Sequence, residues 1–239
     1  KWPMAQDELI VVKDLNKAYG TKENKINVLK DINFSLEKGA LCTLLGPSGS
    51  GKSTLLNAIG GLEKIDSGSI VINEYEISSL KQNALSNFRR KYLGFIFQFY
   101  NLIPDLTVTE NIQVGSFIHN DPMDIEKLIK DLGLWEHKNK YPRQLSGGQQ
   151  QRCAIGRALI KKPEILLCDE PTGALDYKTS KDILSLLQRI NNEYKTTIIL
   201  ATHNEEITKM SNITIRLKDG IICQEIENDK VMDAQELEW

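Results

Sequence analysis

Apolar residues in this chain gather into short runs separated by polar turns. Six such runs predict strands: Leu9–Val12, Ala40–Leu45, Ser69–Ile72, Gly94–Phe97, Ile165–Cys168 and Thr197–Ala201. The runs at 40–45, 165–168 and 197–201 are nearly continuous apolar, as in central strands covered on both faces by helices. Two stretches carry a helical period instead. Ile183, Leu186, Leu187 and Ile190 recur on one face of 177–192, and Ile125, Leu128, Ile129 and Leu132 do so in 124–132. Strands alternating with helices predict a mostly parallel sheet, hence an α/β fold. The N-terminal third has turn breakers at Gly39, Gly68 and Asn73 and predicts a small antiparallel β lobe. The stretch from about 100 to 158 lacks strand signals and predicts a helical insert. No repeat or low-complexity segment interrupts the pattern.

Composition narrows the function classes. The chain has 239 residues, enough for one sizeable core or two closely joined subdomains. Its formal net charge of −2 provides no basic excess for holding nucleic acid. The most basic run, Arg89-Arg90-Lys91, reads as a solvated helix face. No apolar stretch approaches the roughly 18 residues that cross a bilayer, and no charged-then-apolar leader reads as a secretory signal. Cys42, Cys153, Cys168 and Cys223 form no Cys-x-x-Cys pair and read as small core residues of a reduced protein. Lys1-Trp2-Pro3 precede a Met and read either as an added remnant or as part of a longer chain. His119 and His137 have no motif around them and read as structural.

Two motifs carry chemistry. Residues 46–53 read Gly-Pro-Ser-Gly-Ser-Gly-Lys-Ser, a full match to G-x-x-x-x-G-K-[ST], with an apolar strand before and a helix-compatible run, Thr54–Ile59, after. Gly46, Gly49 and Gly51 let the backbone curl so that N–H groups point inward at a phosphate, with Pro47, Ser48 and Ser50 between them. The following helix adds its positive end, where Thr54 lies. Lys52 can reach the β- and γ-phosphates, and the Ser53 hydroxyl can ligate Mg²⁺. The bland alternative is a Gly/Ser-rich surface loop, and the motif alone covers kinases, GTPases, helicases and transporter ATPases. The second motif is Ile-Leu-Leu-Cys-Asp-Glu at 165–170. Carboxylates ending a buried strand need a metal or a partner. Asp169 can hold Mg²⁺, and Glu170, on the other side of the strand, can polarise a water. An acidic turn leaving the sheet is the bland reading of this pair.

Residues 145–152 read Leu-Ser-Gly-Gly-Gln-Gln-Gln-Arg. Leu145–Gln149 resembles the signature motif of the ABC ATPases, placed between the other two motifs in that family's order. The residues describe a helix start, with Ser146 as cap and Gly147 and Gly148 offering bare N–H donors before Gln149. The resemblance runs from about residue 8 to about 226. It implies a RecA-like P-loop NTPase core with the β lobe at 8–98 and 160–226, and a helical subdomain at 99–159 that carries the signature. It also implies that the signature of one subunit closes over the ATP of another, with Mg²⁺ as cofactor and a dimer around two nucleotides. By the same resemblance Gln98 touches the metal and the lytic water, and Gly173-Ala174-Leu175-Asp176 packs across the dimer. His203 contacts the γ-phosphate, and Tyr19 stacks on adenine.

Local phrases resemble one branch of that family. Residues 46–57, 97–112 and 169–176 are similar to macrolide-export, lipoprotein-releasing, bacitracin-type peptide-export and cell-division ATPases. The resemblance implies a peripheral ATP-hydrolysing subunit at the cytoplasmic side of the plasma membrane, serving a separate permease as a homodimer or heterodimer. Phe99, Tyr100, Leu102, Ile103 and Leu106 are expected to form an apolar landing site for the permease, with ordinary packing of the insert as the bland reading of each. A regulatory ATPase that controls a cell-wall hydrolase is the alternative. A non-transport ABC ATPase would show coiled coils, a basic face or tandem modules, and a P-loop kinase leaves 145–152 unexplained.

Overall fold

The computed structural model describes residues 7–21, 24–117 and 121–239. His119 and Lys1-Trp2-Pro3 lie outside them. In chain order the elements are β1 (Glu8–Tyr19), β2 (Ile26–Glu37), β3 (Leu41–Leu45), α1 (Lys52–Ile59), β4 (Ser67–Ile72) and β5 (Tyr75–Glu76). There follow α2 (Gln82–Tyr92), β6 (Leu93–Phe97), α3 (Val108–Ser116), α4 (Ile125–Asp131) and α5 (Gly147–Leu159). The chain ends with β7 (Ile165–Asp169), α6 (Tyr177–Tyr194), β8 (Thr197–Thr202), β9 (Ile213–Lys218) and β10 (Ile221–Glu227).

The central sheet runs β10-β9-β3-β8-β7-β6, parallel except for the β10–β9 hairpin. Its middle strands are nearly continuous apolar because alternate residues enter two different cores. Leu166, Cys168, Ile198 and Leu200 pack with α3, α4, α5 and α6. Ile165, Leu167, Ile199 and Ala201 pack with α1, α2 and the β lobe. Each fully buried Leu or Ile is worth roughly 1.5–3 kcal/mol of transfer free energy. The doubly covered sheet is therefore the rigid part from which the loops at its C-terminal edge project.

The lobe is the antiparallel sheet β2-β1-β4-β5. Its two leading strands are 12 residues each, longer than the short strands expected. Asp14 and Asp31 have left-handed backbones (φ 48° and 47°), and the β1–β2 register shifts between Val12 and Leu15. A bulge breaks the apolar–polar alternation while the pairing continues, so the reading of β1 stopped at Val12. Within 99–159 the regular elements are the helices α3, α4 and α5 and short 3₁₀ turns.

Three cysteines are buried, but Cys223 is exposed on β10, which corrects its reading as a core residue. Burial pushes the thiols of Cys42 and Cys168 far up and that of Cys153 up to about 12. Arg90 and Lys91 are solvated as expected, while Arg89 turns back to donate to the Gly61 carbonyl at 2.6 Å. Beyond residue 226 the chain stays packed along α6. Gln188 donates to the Met232 carbonyl and accepts from the Ala234 amide, and Ala234 and Leu237 are fully buried.

Candidate active site

The site grows from the C-terminal ends of β3, β6, β7 and β8. After β3 the chain turns through residues 46–51 into α1. Gly51 caps that helix in a left-handed conformation (φ 105°) without any side-chain cap bond, so the first N–H groups of α1 remain available as donors. Gly49 is also left-handed (φ 79°). Gly46 is needed for another reason: a Cβ there would lie 2.2 Å from the Leu217 carbonyl oxygen of β9. The Lys52 ammonium is folded over this loop. It donates to the Gly46 and Pro47 carbonyls at 2.7 and 3.0 Å and lies 3.8 Å from Glu170 Oε1.

Asp169 is the last residue of β7, opposite Phe97 of β6 and Ala201 of β8. Its Oδ1 is buried with no hydrogen-bond partner among the described residues. Glu170 follows in a left-handed conformation (φ 47°), so the turn, not strand alternation, aims its side chain. The Glu170 amide donates to the Ala201 carbonyl at 3.0 Å. Both Glu170 carboxylate oxygens lie 3.1 Å from His203 Nδ1, at the end of β8.

These groups converge on a cavity of about 790 Å³. It is lined by Tyr19, Pro47, Ser48, Gly49, Gly51, Lys52, Ser53, Thr54, Gln98, Glu170 and His203, with Val28 from β2. Val28 had no sequence signal, since β2 itself was not predicted. Gly46, Ser50 and Asp169 are not among the lining residues, and Ser50 is buried. Tyr19 is 41% exposed and carries the Lys17 ammonium 4.9 Å from its ring centre.

Ser146, Gly147, Gly148 and Gln149 do not line this cavity. Ser146 caps α5 and forms a reciprocal capping box with Gln149. The Gln149 side chain also lies 2.9 Å from His137 Nε2, so this histidine supports the helix start. Gly147 is packed so closely that a Cβ would lie 2.8 Å from the Tyr100 hydroxyl, and at Gly148 it would lie 2.4 Å from the Thr179 methyl. Of the helix N-termini that follow these two glycine-bearing motifs, that of α1 opens on the cavity and that of α5 does not.

A sequence profile described as ABC transporter matches residues 29–173. The bacitracin export ATP-binding protein BceA of Halalkalibacterium halodurans is 43% identical over 218 residues, 89% of this chain and 86% of that protein. The lipoprotein-releasing system ATP-binding protein LolD of Treponema denticola is 38% identical over 89% of this chain and 96% of its own length. Against two mycoplasma ABC transporter ATP-binding proteins the chain spans about half of the relative, 51% and 46%. Among solved structures, the dimeric ATP-binding cassette MJ0796 in a post-hydrolysis state with ADP and Pi superposes at a TM-score of 0.84. It is 38% identical, over 92% of this chain and 98% of that one. Matches at this identity and coverage, on a chain whose phosphate-loop Lys52, strand-end Glu170 and His203 meet in one cavity, make this chain a member of the ABC transporter family, an ATP-binding subunit that hydrolyses ATP.

Proposed function

We propose that the cavity holds ATP with its phosphates on residues 46–54 and its adenine against Tyr19, and that Glu170 polarises the attacking water. The observation that carries this reading is the meeting of Lys52, Glu170 and His203 at the open end of α1. Lys52 already touches the loop carbonyls, so a short swing brings its charge onto the β- and γ-phosphates. His203 holds Glu170 by its carboxylate and steadies the γ-phosphate. Gln98 steadies the water and the metal corner.

Mg²⁺ fits this corner. A hard cation takes oxygen ligands and keeps several waters. The unpartnered Oδ1 of Asp169 is a ligand in want of a partner. Ser53 and Gln98 line the adjacent wall with neutral oxygens. When bound, the ion supplies positive charge to the phosphate oxygens.

Ser146, Gly147, Gly148 and Gln149 close over the γ-phosphate of a second subunit, so the working unit is a dimer around two nucleotides. Closure and reopening drive a separate permease from the cytoplasmic side of the membrane. Among the described residues no helix is long and apolar enough to cross a bilayer. Phe99 and Ile103, 74% and 40% exposed, offer the permease an apolar contact, while Tyr100, Leu102 and Leu106 are half-buried and belong more to the packing of the insert. The likeness to BceA and LolD favours peptides, lipoproteins or antimicrobials as the cargo class.

Glu170→Gln tests the reading. Removing the base while keeping the shape leaves ATP binding intact, lowers turnover by about 100-fold or more, and accumulates an ATP-bound dimer. Turnover at the normal rate, or gel filtration with ATP that shows only monomer, removes Glu170 from the proposed role.

A further inference from the structure

We propose that Gln151 is a positioning residue for hydrolysis, joining the signature helix to the roots of the two loops that carry Gln98 and Glu170. The inference rests on the roles given above to those two residues. Gln151 lies in the second turn of α5 and is fully buried. Its Nε2 donates to the Pro171 carbonyl at 2.6 Å and reaches the Phe97 carbonyl at 3.4 Å. Pro171 directly follows Glu170, and Phe97 directly precedes Gln98. Phe97 and Asp169 are register partners in the parallel β6–β7 pair. The carboxamide therefore spans the point where two neighbouring strands stop pairing and both loops begin.

Packing does not account for a glutamine here. The neighbouring buried positions of α5 are Cys153, Ala154, Ile155, Ala158 and Leu159. The Gln151 Oε1 is buried with no hydrogen-bond partner among the described residues. A methionine would fill the same length without stranding an oxygen, so what the glutamine adds is its donor. Both loops need an outside hold. Glu170, Tyr100 and Asn101 are all left-handed (φ 47°, 59° and 49°), and the Glu170 amide makes the last bond of β7 to β8, to the Ala201 carbonyl. The same helix grips the first loop again, through Arg157 Nη1 to the Asn101 carbonyl (2.7 Å) and Nη2 to the Tyr100 carbonyl (3.1 Å). A displacement of α5 is thus transmitted to the backbone beside both hydrolytic side chains. Ser146 and Gly147 at its N-terminus move with it.

The test is a cycle of Gln151→Met and Glu170→Gln, with Gln151→Asn as a second, amide-retaining variant, each assayed for ATP KM, kcat and Tm. Loss of positioning lowers kcat of Gln151→Met by about 10–100-fold while the ATP KM and Tm stay close to the parent. In the Glu170→Gln background, where the base is already gone, Gln151→Met then lowers the residual rate no further. Gln151→Asn, which keeps a donor on a shorter arm, falls between parent and Met variant. A normal kcat in both Gln151 variants, or losses that simply multiply in the double variant, overturns the inference. If Glu170→Gln itself turns over at the parent rate, it is the assignment of the base that fails.

Discussion

At the scale of single residues, the phosphate loop shows how one residue type can be required for two unrelated reasons. Gly49 is left-handed, yet a Cβ there would meet nothing, so Gly49→Ala costs only the conformational penalty of about 1–2 kcal/mol. Gly46 has an ordinary backbone, but its Cβ would press on the Leu217 carbonyl and the Ser50 hydroxyl. Gly46→Ala must therefore displace β9 or the loop, and it is expected to lower Tm more than Gly49→Ala and to weaken ATP binding further. Equal losses in both assays would mean that β9 yields freely. Lys52, Asp169 and Glu170 were expected because each belongs to a local phrase whose residue types state its chemistry, whereas Gln98 and His203 were expected from the resemblance alone. Gln151 sits inside such a phrase and was still not read as a site residue. Its partners are 54 and 20 residues away, and a contact with a distant carbonyl leaves no mark on periodicity or composition.

At the scale of elements, the central strands were legible because they are nearly continuous apolar runs, and α4 and α6 because one face repeats. What was missed was mixed. β2 alternates properly at Ile32, Phe34 and Leu36, but Lys30 and Asp31 interrupt it at a left-handed residue. β9 alternates Ile213, Ile215 and Leu217 with Thr214 and Arg216, and β10 is largely exposed, so neither forms a conspicuous apolar run. The insert's first helix, α3, is defined by its start more than by its apolar face. Thr107 accepts from the Glu110 amide, and the Glu110 carboxylate accepts from the Thr107 amide and hydroxyl. Thr107→Ala is expected to cost about 1 kcal/mol, a fall in Tm of roughly 2–4 °C for a chain this long. The Thr107 donors hold the Glu110 carboxyl below its usual range. A folded-state pKa below the unfolded value means that this contribution is complete at neutral pH and is lost as pH falls through the lowered pKa. Thermal melts from pH 7 down to about 3 should therefore show the difference between parent and variant shrinking with acid. A difference that stays constant would assign the cap's effect to the bond the hydroxyl accepts from the Glu110 amide, with nothing from the one it donates to the carboxylate.

At the scale of the whole molecule, the helix starts that follow the two glycine-bearing motifs do not share a cavity, and the proposed function turns on this. The start of α1 opens on the space lined by Lys52, Glu170 and His203, whereas the start of α5, held by the Ser146–Gln149 box, faces elsewhere. On the proposed function a single chain is half of each of two sites, and complementation tests it. A chain with Lys52→Ala has a ruined loop and an intact signature. A chain with Ser146→Arg has an intact loop and a signature blocked by bulk. Each alone forms dimers in which both sites carry one defect, and both are expected to be inactive. Mixed, they form heterodimers in which one site carries both defects and the other carries neither. The mixture should then hydrolyse ATP well above either parent, with a rate that peaks near equal amounts of the two chains. If the loop and signature of one chain served the same nucleotide, every site in the mixture would still carry one defect. No ratio of the two variants would then rise above the parents.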